Sequence, residues 1–452
     1  MDGAVILVVG VSHRTAPIEV RERFVADADA LPTVLAHLSS RSELHGAILL
    51  STCNRYEIIA LASNGDAEAA FRAVREEIAR HAGTVNAADL TQYLYEKSGD
   101  EAIAHVFRVA SSLDSMVVGE PQILGQVKDA CDMALAAGTL KGILGRCMSR
   151  AFAVAKRVRT ETAIGIGSVS VSSVAVDLAR RVFGELNDRV VLLLGAGEMA
   201  EAAAHSLGRE ARALRICNRS FDRAAALAGE MHASAIPWDE LEQELITADV
   251  VIASTASRLP IVTREMVKRA MKVRKGRTLL FVDVALPRNV EPEIHRIDNV
   301  YVFNVDDLEH EVARGRSARH AEVEAAEKIV ADELAQFVAW TRGLAVQPTV
   351  VAIRAKTRAV LFAELERSLA GRLKHLPEAD RTALAQMMES VLNKLLHAPT
   401  RNLKVRAADH EDAGELAAAA RLLFDLREAG PVEEEPDMPQ VLESEDDERL
   451  PN

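Results

Sequence analysis

The chain has 452 residues, 49% of them hydrophobic and 27% charged, with a formal net charge of −13. That length is too great for one ordinary core, and the composition is that of a soluble globular protein built from two to four domains. The acidity is local: Pro431 to Asn452 hold nine acids and one base, a net −8, so the preceding residues carry only −5 and a polyanionic partner is not excluded.

No apolar run reaches the length of a membrane span. The patch Val5–Val11 lacks the basic flank and cleavage site of a signal peptide. The four cysteines (Cys53, Cys131, Cys147, Cys217) form no CxxC pair. Neither a zinc cluster nor a disulfide framework is expected, and a reducing cytoplasm fits.

In chain order, Ala4–Val11 is expected as the first strand, leading through the polar loop Ser12–Pro17 into a short helix carrying Glu19, Arg21, Glu22 and Arg23. A helix over Ala28–Leu38, strands at Ala47–Ser51 and Tyr56–Ala62 and a helix over Asp66–Ala82 complete a small α+β unit. Between the two strands lies Ser51-Thr52-Cys53-Asn54-Arg55-Tyr56-Glu57. A strand end fixes the base of a side chain and leaves its tip open, which suits a nucleophile. A nearby Arg55 is expected to favour the Cys53 thiolate. The alternative is a simply buried cysteine.

A helix follows from Gly99 to about Ser112, with His105 among Ile103, Val106, Phe107 and Val109. On spacing alone His105 is a structural residue unless it faces Cys53. The stretch from Ser111 to Lys128 holds Asp114, Ser115, Glu120, Pro121, Gln122 and Gln126 around Gly119 and Gly125. It reads equally as a helix–loop–helix joint or as the polar rim of a pocket for a zwitterionic substrate. Arg146, Arg150, Lys156, Arg157 and Arg159 make the next helix basic, a solvated surface or a phosphate contact.

The strongest local signal is Val190–Leu194, a buried parallel-type strand, followed by Gly195-Ala196-Gly197-Glu198-Met199-Ala200 and an alanine-rich helix. This is G-x-G-x-x-A in strand–turn–helix context: Gly195 for the turn, Gly197 for close approach of a pyrophosphate, Ala200 for helix packing. The next strand, Leu214–Cys217, ends in Asn218-Arg219, with Arg223 close behind, where an NAD site would place an acid. Guanidinium groups suit a 2′-phosphate, so the cofactor expected is NADPH. Further strands are expected at Asp249–Ala253 and Thr278–Val282. Asp306-Asp307 can cap a very long helix that stops before Pro348, weakened at Gly315. Helical segments at Val350–Leu373, Glu378–Leu396 and Glu411–Leu426 follow, with His397-Ala398-Pro399-Thr400 as a break. The acidic tail reads as disordered.

With these residues in view the chain resembles the glutamyl-tRNA reductases up to about Ala429. The blocks that carry the resemblance are Gly10–Pro17, Ser51–Glu57, Gly119–Gln126, Ala155–Thr162 and His397–Thr400. The resemblance implies a multidomain α/β architecture. An α+β catalytic domain spans 1–160 and a Rossmann-type NADP-binding domain 161–305. A long spinal helix and an all-helical dimerisation domain span 306–430, before the acidic tail 431–452. It implies Cys53 as nucleophile and His105 as its companion. It also implies a glutamyl-tRNA pocket of Thr52, Asn54, Arg55, Ser115, Glu120, Pro121, Gln122 and Gln126, with Arg55 pairing a substrate carboxylate. The implied cofactor residues are Gly195 to Ala200. The implied partners are glutamyl-tRNA(Glu), a second copy in a V-shaped dimer and the aminomutase that follows in tetrapyrrole synthesis. Two rivals remain: an NADP reductase of a free small molecule in the manner of shikimate dehydrogenase, which needs no Cys53, and a non-enzymatic regulator, which needs no Gly195 loop.

Overall fold

The computed structural model describes residues 5–25, 30–83, 90–115, 118–120, 122–165, 171–195, 202, 206, 210–308, 320–409 and 413–426. The expectations for Pro121, Ala196 to Ala200, Gly315 and the acidic tail lie outside the described residues. The chain divides into two compact units, with the boundary in sequence between Phe337 and Val338.

In the first unit, a four-stranded antiparallel sheet takes the order β2–β3–β1–β4, from β1 (Ile6–Ser12), β2 (Leu44–Ser51), β3 (Arg55–Ala62) and β4 (Tyr95–Ser98). All seven residues of β1 and all eight of β3 are buried, so these central strands are covered on both faces. That explains their near-continuous apolar runs where a half-exposed strand would alternate. Helices Leu31–Ser39, Ala67–His81, Gly99–Ala110, Gln122–Ala136 and Gly142–Glu161 accompany the sheet. Asp66 caps the second of these by accepting the Ala69 amide at 3.0 Å.

A six-stranded, all-parallel sheet in the order β10–β9–β8–β5–β6–β7 follows. Its strands are β5 (Val190–Leu194), β6 (Ala213–Cys217), β7 (Ser234–Ile236), β8 (Val250–Ala253), β9 (Leu279–Asp283) and β10 (Val300–Asn304). Each face packs its own apolar cluster, Val191 and Leu193 on one side and Leu192 and Leu194 on the other. This is the doubly wound arrangement that the glycine motif requires.

Two sequence expectations are corrected. Asp306 does not cap the helical turn after β10: Asn304 does, its Oδ1 accepting the amides of Asp306 and Asp307 at 2.8 and 3.1 Å. Asp307 returns the bond by accepting the Asn304 amide at 2.9 Å, a reciprocal cap that leaves Asp306 available for another partner. Nor does Pro399 end a helix. Glu378–Asp409 is one helix with Pro399 inside it, and the Thr400 hydroxyl donates to the Leu396 carbonyl at 2.6 Å.

In the second unit, this helix packs against Gln347–Ala370 and Ala413–Leu423. Ile353, Leu392 and Leu396 form a small core there.

Candidate active site

Cys53 lies in the three-residue turn between β2 and β3. The Thr52 amide donates to the Arg55 carbonyl at 2.8 Å, and Thr52 Oγ1 accepts the amides of Asn54 and Arg55, both at 3.2 Å. A short side-chain acceptor thus holds the turn that presents the sulfur. The Asn54 carbonyl accepts the His13 amide at 2.9 Å, joining the first loop to this turn. Cys53 is half-buried.

The pull of Arg55 toward the thiolate is present but is outweighed. Burial pushes the Cys53 thiol up to about 11 and Glu120 adds to the rise; Arg21 and Arg55 pull the other way without offsetting it. Desolvation of the charged form outweighs two guanidinium groups, so the resting group is a thiol.

Arg55 and Glu57 are two apart on β3 and point to one face. Their side chains, 2% and 1% exposed, form an ion pair. Glu57 also accepts from the Tyr95 hydroxyl and contacts His105 Nε2 at 3.1 Å. Burial raises the Glu57 pKa, but Arg55 and His105 outweigh it and hold the carboxyl well below the usual range. Arg55 also donates to the Asp114 carbonyl, and Asp114 Oδ2 lies 3.5 Å from His105 Nδ1. His105 therefore turns its two ring nitrogens to Glu57 and Asp114, and its ring lies 5.5 Å from that of Tyr95.

Ser115 is buried, and Glu120 is half-buried with its carboxyl pKa raised by burial. The Glu120 carbonyl accepts from Ser112 Oγ at 2.6 Å and Arg159 at 3.2 Å. Gln122 and Gln126, both half-buried, are one turn apart on one helix face. Part of the basic helix is paired internally: Arg150 and Arg157 both meet the buried carboxylate of Glu333.

At the second sheet, the Gly195 amide donates to the Cys217 carbonyl at 2.9 Å. Gly195 has φ +110°, and a Cβ there would stand 2.1 Å from the Ser254 carbonyl. The position admits only glycine, as a turn at the carboxyl ends of β5 and β8 requires. Asn218 and the exposed Arg219 and Arg223 follow β6. Arg219 lines a cleft of about 710 Å³ with Trp238, Ser257 and Arg258. The acids Asp239 and Glu242 line the same cleft.

Against known proteins, the model for the glutamyl-tRNAGlu reductase N-terminal domain matches residues 9–162. The shikimate/quinate 5-dehydrogenase model matches 177–311, and the glutamyl-tRNAGlu reductase dimerisation domain matches 325–426. A glutamyl-tRNA reductase of Sorangium cellulosum is 49% identical over 442 residues, covering 94% of this chain and 83% of that one. The chain belongs to the glutamyl-tRNA reductase family. A second glutamyl-tRNA reductase, of Pelobacter propionicus, is 43% identical over 93% of the chain and 96% of its own length. The solved glutamyl-tRNA reductase of Methanopyrus kandleri is 32% identical over 93% of this chain and 99% of that one, with a TM-score of 0.49.

Three residues that hold the site were not among the sequence candidates: Arg21, Glu57 and Tyr95. Glu57 carries a sequence signal, since it is spaced by two from Arg55 on a strand. Tyr95 reaches the site from 38 residues away and carries none, whereas Asp114 belongs to the polar stretch already singled out.

Proposed function

We propose that this chain reduces the glutamyl group of glutamyl-tRNA(Glu) to glutamate-1-semialdehyde with NADPH, through a thioester on Cys53, as the first step of tetrapyrrole synthesis. Family membership over nearly the whole length supports the overall reaction. The observation that carries the thioester route is Cys53 itself, a half-buried thiol at the tip of a backbone-fixed turn.

The sulfur attacks the ester carbonyl; the new C–S bond replaces the C–O bond to the tRNA ribose, and the thiol proton leaves on the ribose oxygen. Because the resting group is a thiol, attack and proton removal are coupled. Bound NADPH supplies the hydride that converts the acyl carbon to the aldehyde level. Expulsion of sulfur, which regains its proton, then frees the semialdehyde.

Thr52 and Asn54 shape the turn around the acyl group. Ser115, Glu120, Pro121, Gln122 and Gln126 line the glutamyl pocket, and Arg55 offers its charge to the substrate carboxylate in competition with Glu57. His105, with both ring nitrogens turned to carboxylates, acts as a positioning group for Arg55 and Glu57. Gly195, Ala196, Gly197, Glu198, Met199 and Ala200 hold the pyrophosphate, and Asn218, Arg219 and Arg223 the 2′-phosphate.

The chain works as a homodimer through its C-terminal helices. The match to the dimerisation domain supports this, as does an exposed stripe of Met387, Val391 and Leu395, spaced by four on one helix. Among the described residues no helix is long and apolar enough to cross a membrane. A reactive aldehyde product favours direct transfer to the aminomutase. Incubation with glutamyl-tRNA labelled in its glutamate, without NADPH, tests the thioester: the reading expects label on Cys53, and label retained by Cys53→Ser contradicts it.

A further inference from the structure

Arg21 belongs to the one-turn helix Ile18–Arg21, outside every motif named above, yet its side chain is only 2% exposed. A buried guanidinium must spend its donors on acceptors. Arg21 Nε donates to the Ala16 carbonyl at 3.2 Å, and Nη1 donates to the Cys53 carbonyl at 3.0 Å. Nη2 forms an ion pair with Asp306, the acid set free because Asn304 caps the turn after β10. One planar group thus touches the backbone of the nucleophile and the exit of the parallel sheet. Its neighbour Glu22 makes a second link. Glu22 accepts the Arg288 amide at 2.8 Å and meets the Arg288 guanidinium at 2.9 Å, in the loop after β9.

We propose that Arg21 is a positioning residue that couples the Cys53 turn to the nucleotide-binding sheet, so that how this sheet docks sets how the sulfur is presented. The coupling rests on the reading of Cys53 as acyl carrier only for its catalytic consequence. Acylation needs the turn and the substrate. Reduction needs the turn and the nucleotide sheet together, so it depends more on the link to Asp306. Coupling is also reciprocal: a ligand on the sheet must be felt at the turn.

The test uses the full-length protein and Asp306→Asn, which removes the charge at a residue 30% exposed and leaves Arg21 on the Cys53 carbonyl. Iodoacetamide alkylation of Cys53 is timed by peptide mass spectrometry with and without NADPH. In the parent protein NADPH is expected to change the rate at least threefold, and in Asp306→Asn by less than 1.5-fold. No effect in the parent, or an equal effect in both, overturns the proposal, the latter because direct shielding would then suffice. Single-turnover kinetics supply the second readout: Asp306→Asn should slow reduction at least five times more than it slows tRNA release. Equal slowing of both overturns the coupling. Arg21→Lys, which keeps the charge but loses the fork, should slow both steps. A parent protein that never acquires acyl label on Cys53 would sink the thioester reading alone, and the alkylation experiment would still decide the coupling.

Discussion

Arg55 and Glu57 form an ion pair closed to solvent, two residues apart on the strand that leaves the Cys53 turn. Neither charge is stable there without the other. The Tyr95 hydroxyl and the His105 ring complete the shell around Glu57, so the pair fixes the floor beneath the nucleophile.

Glu57→Gln should therefore cost stability out of proportion to its size. It leaves a buried guanidinium with only Asp114, 4.0 Å away, as counter-charge, a loss of about 3 kcal/mol by analogy with other broken buried pairs. Urea unfolding of the variant against the parent measures it. The depressed Glu57 pKa sets the sign of the pH effect: its contribution is present above the ordinary carboxylate range and is lost as pH falls below it.

The Cys53 thiol should react slowly with alkylating agents at neutral pH and faster as pH rises toward about 11. Against an ordinary thiol with pKa 9.0, that leaves about a hundredfold less thiolate at pH 7.5. Glu120→Gln removes a charge that opposes ionisation, so it should shift the alkylation profile to lower pH while slowing acylation by substrate. Peptide-resolved alkylation across a pH series, alongside tRNA release, checks both.

Asp283, at the end of β9, accepts the amides of Ala285 at 3.1 Å and Val290 at 2.8 Å. Burial nevertheless pushes its pKa up to about 7. The folded protein then holds this proton more tightly than the unfolded chain, so stability should fall as pH rises from about 4 to about 7, by a few kcal/mol at most. Thermal unfolding of the parent and Asp283→Asn across that range reads it: the variant should lose this slope.

Arg219→Ala should raise the KM for NADPH about tenfold, the loss of one charge-assisted bond, and leave any rate measured with NADH unchanged. Initial rates with both cofactors decide it. Equal losses with both would assign Arg219 to the shared part of the dinucleotide.

The sequence made the strands legible where local pattern and burial agree. The apolar runs of β1, β5 and β9 and the Gly195 turn are local facts of hydrophobicity and backbone freedom. The Cys53 turn was legible for the same reason, since its polar residues end an apolar run. Its ionisation was not, because desolvation of the sulfur depends on tertiary packing. Pro399 misled because a helix loses only one bond to proline, and packing through Leu392 and Leu396 outweighs it. Asp306 misled because Asn304, two residues earlier, took the cap. The contacts of Tyr95, Asp114 and Arg21 depend on chain closure over long separations, which no local spacing encodes.

The central claim is that Cys53 carries the glutamyl group before any hydride arrives. Intact-protein mass spectrometry of the full-length enzyme, quenched in acid after mixing with glutamyl-tRNA(Glu) and no NADPH, tests it most directly. The account predicts one added glutamyl mass that maps to the Cys53 peptide and disappears when NADPH is supplied. Turnover to the semialdehyde with no such adduct, or with the adduct on another residue, would contradict it.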